Sequence, residues 1–272
     1  MELGIISDEV SLDLEEAFTE GKALGFNKYE IRCFDDFEYR VPYFKPGRVE
    51  RLYEKVASKE IEVTALTPGT FKIELGETEK LKVEMEETLP QTCELAVRLG
   101  APKIIVFGFM RGGGGTMEAA IEQLKRAAQI VHSYNLELSI ENEPGSFLDT
   151  GVNTAEAMQA LAGKGIGVNW DPANAITSGE AAYPVGYDAV KPYINNIHIK
   201  DSFPLPGGKW ENRLIGDGGM NWIGQFKALL KDKPVPFMTL ETHVFPVLEA
   251  TREDLRRYRI FLDAIRAIET GA

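Results

Sequence analysis

Lys103-Ile104-Ile105-Val106-Phe107, an amphipathic segment from Met117 to Tyr134, then Glu137-Leu138-Ser139-Ile140 running into Glu141: this stretch decides the fold. Two short apolar runs separated by one helix-length segment read as parallel strands, because a parallel crossover needs a helix. The unit repeats in both directions. Upstream lie strand-like runs at Leu3-Gly4-Ile5-Ile6-Ser7, Tyr29-Glu30-Ile31-Arg32-Cys33 and Glu62-Val63-Thr64-Ala65-Leu66, the last stopped by Pro68-Gly69. Between them Asp8 to Leu24 reads as helical, with Leu12, Ala17, Phe18 and Leu24 on its buried stripe and Gly25 closing it. A helix from Thr78 to Leu99 ends at Gly100 in the same way. Downstream come Gly165 to Trp170 running into Asp171, Asn195 to Lys200, Phe237 to Leu240 running into Glu241, and a helix from Thr251 to Ile268.

Eight such strands in 272 residues predict a closed (β/α)8 barrel as one domain over residues 1–272, since that fold takes roughly 250 residues. An open dinucleotide-binding sheet is disfavoured, because no G-x-G-x-x-G follows the first strand. Hydrophobic residues make up 44% and charged residues 26%, enough for an ordinary core. The net charge of −12 repels phosphate backbones and anionic lipid, so neither nucleic acid nor membrane is expected as a partner. The start of the chain has no basic segment followed by a long apolar one, and a cytoplasmic protein is expected. Cys33 and Cys93 sit in no ligand-like spacing and read as buried thiols.

Four consecutive strands, the fifth to the eighth, carry Glu141, Asp171, His198 and Glu241 at or near their C-terminal ends. A buried parallel strand should be apolar throughout. In a barrel these ends converge on the rim where active sites form. Three carboxylates meeting there repel one another unless a cation sits among them. Three carboxylates and one imidazole suit a single divalent ion: Mn²⁺ first, with Mg²⁺, Co²⁺ or Zn²⁺ as alternatives.

Further stretches carry a resemblance. Ile140-Glu141-Asn142, Trp170-Asp171-Pro172-Ala173-Asn174, Ile197-His198-Ile199-Lys200-Asp201, Gly216-Asp217-Gly218-Gly219-Met220-Asn221-Trp222 and Leu240-Glu241 occur in this order, after Leu24-Gly25-Phe26-Asn27-Lys28-Tyr29-Glu30 near the start. The set resembles the xylose isomerase-like barrel superfamily of sugar isomerases and epimerases, over nearly the whole chain. The resemblance implies that Glu141, Asp171, His198 and Glu241 hold the metal, and that Glu141 and Glu241 double as the acid/base pair. Lys200 matches the lysine of the family's H-x-K-D stretch and is expected to contact substrate. The ketose epimerases of the family usually have histidine three residues after the strand-six aspartate. Asn174 stands there, able to hydrogen-bond a hydroxyl but not to carry a proton.

Such a site supports removal of a proton from carbon next to a carbonyl, by a metal acting as Lewis acid and a carboxylate as base. Return of a proton gives epimerisation or aldose–ketose isomerisation of a sugar or sugar phosphate. The runner-up is a lyase that dehydrates a keto-inositol or a dehydroshikimate-like substrate, and a third reading is a non-catalytic sugar-binding barrel. The superfamily also holds endonuclease IV, but three histidines in all and the acidic charge argue against a nuclease. Trp170, Phe107, Phe109 and Trp210 offer apolar faces to a sugar ring. Arg32 and Arg111 follow strands and could reach an anion, Gly112 to Gly115 could form a lid or anion nest, and His243 could touch substrate. Helical faces of such barrels can carry oligomer contacts, so a homo-oligomer is compatible with the sequence.

Overall fold

The computed structural model describes residues 1–161, 163 and 165–270. Its strands are β1 (Glu2–Ile6), β2 (Lys28–Ile31), β3 (Glu62–Leu66), β4 (Lys103–Phe107), β5 (Glu137–Glu141), β6 (Ile166–Trp170) and β7 (Ile194–Ile199), then a hairpin of β8 (Asp201–Pro204) and β9 (Trp210–Arg213), then β10 (Phe237–Leu240). All but the hairpin close into one parallel barrel, in the order β1-β10-β7-β6-β5-β4-β3-β2. The closing pair runs in register from Glu2 opposite Phe237 to Ile5 opposite Leu240. This is the single (β/α)8 TIM barrel that the strand–helix alternation predicts. Among the described residues, no helix is long and apolar enough to cross a membrane.

Side chains alternate across each strand. Leu138 and Ile140 of β5 join the apolar cluster shared with the surrounding helices, as do Val168 and Trp170 of β6. Ser139, Glu141 and Asn169 take the opposite face, inside the barrel, where Ser139 Oγ donates to Asn195 Oδ1 and Asn169 Nδ2 reaches Glu141. Cys33 and Cys93 are buried free thiols, and burial pushes both up to about 12.

The first helix is shorter than the sequence suggests. It runs Leu14–Leu24, capped by the Asp13 carboxylate on Glu16 N, and Leu14 rather than Leu12 begins its buried stripe. Ser7–Glu9 instead forms a short 3-10 turn above β1, because Asp8 and Glu9 are drawn inward to bond Arg32. The expected helix from Thr78 to Leu99 contains a π-helical stretch at Glu84–Thr88, just before Pro90, whose missing N–H makes a regular ladder impossible there.

The hairpin was not legible in the sequence. It opens with Asp201, whose buried carboxylate accepts from the N–H groups of Ser202, Gly216, Gly218 and Met220 and from Trp222 Nε1, at 2.9 to 3.3 Å. The glycine loop is wrapped around this one side chain. At Gly218 a Cβ would collide with Asp201 Oδ1, so the close approach requires glycine. Replacing Asp201 by Ala strands several buried donors. We expect a loss of about 3 kcal/mol, read from the shift in urea midpoint. An unchanged midpoint would show that other contacts hold the loop.

Candidate metal centre

Glu141 ends β5, Asp171 follows β6, His198 lies on β7 and Glu241 follows β10. All four are buried, and one ligand atom from each lies within 4.8 Å of those of the others. His198 Nδ1 faces the acids, 3.5 Å from Glu141 Oε1 and 3.2 Å from Glu241 Oε2. Its other nitrogen, Nε2, is 2.9 Å from Glu30 Oε2, and Glu30 also accepts from the Thr67 hydroxyl. A proton on Nε2 shared with Glu30 leaves the Nδ1 lone pair for an ion. Metal-binding histidines are usually fixed this way, with the second ring nitrogen donating to a carboxylate. The donor set and this orientation fit one divalent cation.

The backbone and neighbouring amides hold the acids. Asn142 clamps the Asp171 backbone, accepting from its N–H and donating to its carbonyl, both at 2.8 Å. Asp171 Oδ1 caps the helix Pro172–Thr177 by accepting from Asn174 N at 3.0 Å. Asn169 Nδ2 donates to Glu141 Oε2 at 3.1 Å. Glu241 is gripped by Arg32 Nη1 at 2.7 Å, by His243 Nε2 at 3.1 Å and by Lys200 Nζ at 3.2 Å. Lys200 also lies 2.8 Å from Asp171 Oδ2.

The charges are strongly coupled. Burial opposes the charged His198 ring, yet Glu30, Glu141 and Glu241 hold its pKa well above the usual value. Burial likewise opposes ionised Glu241, and Lys200, His243 and His198 hold it well below the carboxylate range. Asp171 is pushed up by burial against the pull of Lys200, with Glu241 and Glu141 adding to the rise. The cluster is short of positive charge, as a site built for a cation should be. Glu9, Glu241 and His243 also come together, but Arg32 bonds both of those acids, so the cation between them is the guanidinium.

Sequence reasoning placed several other residues here. His198, Lys200, Phe107, His243, Arg32, Glu141 and Glu241 all line one cavity of about 210 Å³. Arg32 donates to Asp8, Glu9 and Glu241, which anchors Glu241 at the cavity wall that Arg32 itself also lines. His243 is tied to Glu9 and Glu241, and its pKa is raised to about 9 by Glu241 and Glu9 against burial. Asn174 turns to Glu141 Oε1 at 3.3 Å and Asn142 O at 2.9 Å, behind Glu141 and not among the residues that line the cavity.

Trp170 is not at the site. It is fully buried on the outer face of β6, its Nε1 directed to Gln225 Oε1 at 3.4 Å. Alternation along the strand puts Asn169 and Asp171 inward and Trp170 out. Phe109 is also core, stacked on Phe71 with ring centroids 4.8 Å apart. Arg111 bonds Asp149, and the loop Gly112 to Gly115 packs against the Glu74 carboxylate, away from the cavity. Asp8, Glu9, Arg40, Lys72, Glu143 and Asn169 were missed. Asn169 had a signal, its place two residues before Asp171. The others sit beyond the strands, where only the fold brings them in.

A family model described as the xylose isomerase-like TIM barrel matches residues 18–261. The chain belongs to that family. No match is found among the curated proteins. Solved structures with the same fold include a D-tagatose 3-epimerase-like protein, with TM-score 0.78, 17% identity and 100% of both chains covered. IolI with a bound zinc atom has TM-score 0.77 at 16% identity, covering 98% of each chain. A probable 3-DHS dehydratase, AsbF from Bacillus anthracis, has TM-score 0.74 at 16% identity, covering 94% of this chain and 98% of its own. At these identities the likeness establishes the shared fold.

Replacing Glu30 by Gln removes the charge behind His198. We expect divalent-metal affinity to fall about 10- to 100-fold, measured by titration calorimetry with Mn²⁺. Equal affinity in the variant would contradict the orienting role of Glu30.

Proposed function

We propose that this protein is a metal-dependent isomerase or epimerase of a small sugar-like hydroxy-carbonyl compound, with Mn²⁺ as its preferred ion. The observation that carries the reading is the pairing of Glu141 and Glu241. Both approach His198 Nδ1, Glu141 from the end of β5 and Glu241 from just beyond β10, and both line the cavity. Neighbours of the same fold include an epimerase-like protein and a zinc-bound one, which agrees with this chemistry.

Glu141, Asp171, His198 and Glu241 would hold the ion, which when bound supplies Lewis-acid polarisation of a carbonyl and its neighbouring hydroxyl. The remaining work falls to the chain. One of Glu141 and Glu241 takes a proton from the carbon next to the carbonyl, and the other returns one. Lys200 and Arg32 keep Glu241 ionised and fixed in place. Asn169 and Asn174 hold one oxygen each of Glu141, limiting its rotation between binding and proton transfer. Phe107 lines the cavity and offers it an apolar surface. Burial of the four ligands keeps water from competing for the transferred proton.

The test is proton exchange. The Mn²⁺-loaded protein, incubated in D₂O with ketoses, aldoses and their acids and phosphates, is expected to introduce deuterium next to the carbonyl, followed by NMR. Glu141→Gln and Glu241→Gln should each slow exchange by about 10²- to 10⁴-fold. Loss of water from the substrate would instead identify a dehydratase. Tight binding of metal and sugar with no exchange on any substrate would leave a binding protein.

A further inference from the structure

The cations around the cavity differ in one respect. Arg32 and Lys200 are saturated by protein carboxylates, and Lys72 is paired with Glu143. His243 is held by Glu9 and Glu241. Arg40 lines the same cavity, and its guanidinium has no hydrogen bond or ion pair with any described residue.

Arg40 is not a loose surface side chain. A bridge between Cys33 and Arg40 closes the loop after β2, and Val41 N donates to Arg32 O at 2.9 Å. The loop after β3 comes close to its guanidinium. Gly69, in the left-handed region at φ +82°, lies so near that a Cβ there would come within 2.8 Å of Arg40 Nη1. Two loops, after β2 and β3, therefore hold a part-buried guanidinium against the cavity. Burial and the neighbouring Arg32 disfavour its charge and lower its pKa from the usual arginine value, against the smaller opposing pull of Cys33, Asp8 and Glu241. Part-burying a cation without a partner is costly, and a ligand anion would offset that cost.

We propose that Arg40 binds an anionic group of the substrate, a carboxylate or a phosphate, so that the site takes a sugar acid or sugar phosphate in preference to a neutral sugar. This rests on the small-molecule site proposed above and names its substrate class. The guanidinium fork pairs well with either anion through parallel N–H donors. With the ligand's charged end at Arg40, its carbonyl end is left for the Glu141–Glu241 side of the same cavity.

The test compares three ligands of one carbon skeleton: D-fructose, its 6-carboxylate D-fructuronate, and D-fructose 6-phosphate. Binding to the Mn²⁺-loaded protein is measured by calorimetry, with Mn²⁺ affinity followed separately by electron paramagnetic resonance. At least one anion is expected to bind about tenfold or more tightly than fructose. Arg40→Gln should abolish that advantage, Arg40→Lys should retain part of it, and in the wild type it should shrink as salt rises. Which anion gains distinguishes carboxylate from phosphate. Equal binding of all three ligands, binding of none, or an advantage that survives in Arg40→Gln overturns the proposal. If Arg40→Gln does not fold, the salt dependence and Arg40→Lys decide. Deuterium exchange on a neutral ketose, indifferent to Arg40, would sink this inference and leave the reaction class standing. Failure to bind Mn²⁺ beside an intact, Arg40-dependent anion preference would do the reverse.

Discussion

Carboxylates forced together out of water repel one another, and this barrel forces several together at one end. Asp8, Glu9, Glu30, Glu141, Asp171 and Glu241 are all buried there, against Arg32 and Lys200 as the buried cations. Much of the surrounding structure is arranged to make that tolerable. Arg32 crosses from Asp8 and Glu9 to Glu241, Lys200 bridges Asp171 and Glu241, and Glu30 balances His198. Even so, Asp171 stays elevated and His198 is drawn toward its charged form. A divalent cation among Glu141, Asp171, His198 and Glu241 would relieve both.

The barrel provides the positions at little cost in local design. Parallel strands deliver their C-terminal ends to one rim, and period-two alternation sends Glu141 and Asn169 inward while Ile140 and Trp170 pack against helices. The polar residues that fix the ligands come from the same alternation or from the next turn. Asn142, one residue beyond Glu141, clamps Asp171 across to the neighbouring strand. The four side chains are thus positioned by backbone register and by short amide contacts.

This explains what the sequence made legible. Strand ends are local signals, apolar runs stopped by an acid, a histidine or a glycine, so the eight strands and the four side chains that meet at the rim could be found by reading along the chain. Trp170 adjoins Asp171 in sequence, but period-two alternation turns its ring to the opposite face of β6. The 3-10 turn at Ser7–Glu9 and the anchoring role of Arg32 depend on contacts between residues far apart in sequence, such as Arg32 with Glu241. Arg40 carried no local signal at all: it is one of many arginines until the loops after β2 and β3 are folded against each other.

The proposed metal site of Glu141, Asp171, His198 and Glu241 underlies the rest of the proposed chemistry. Crystals soaked with Mn²⁺ and measured at the manganese absorption edge test it most directly. One strong anomalous peak per chain is expected, surrounded by those four side chains with His198 Nδ1 facing it. A peak at Glu9, Glu241 and His243 alone, or no peak at saturating Mn²⁺, would contradict it.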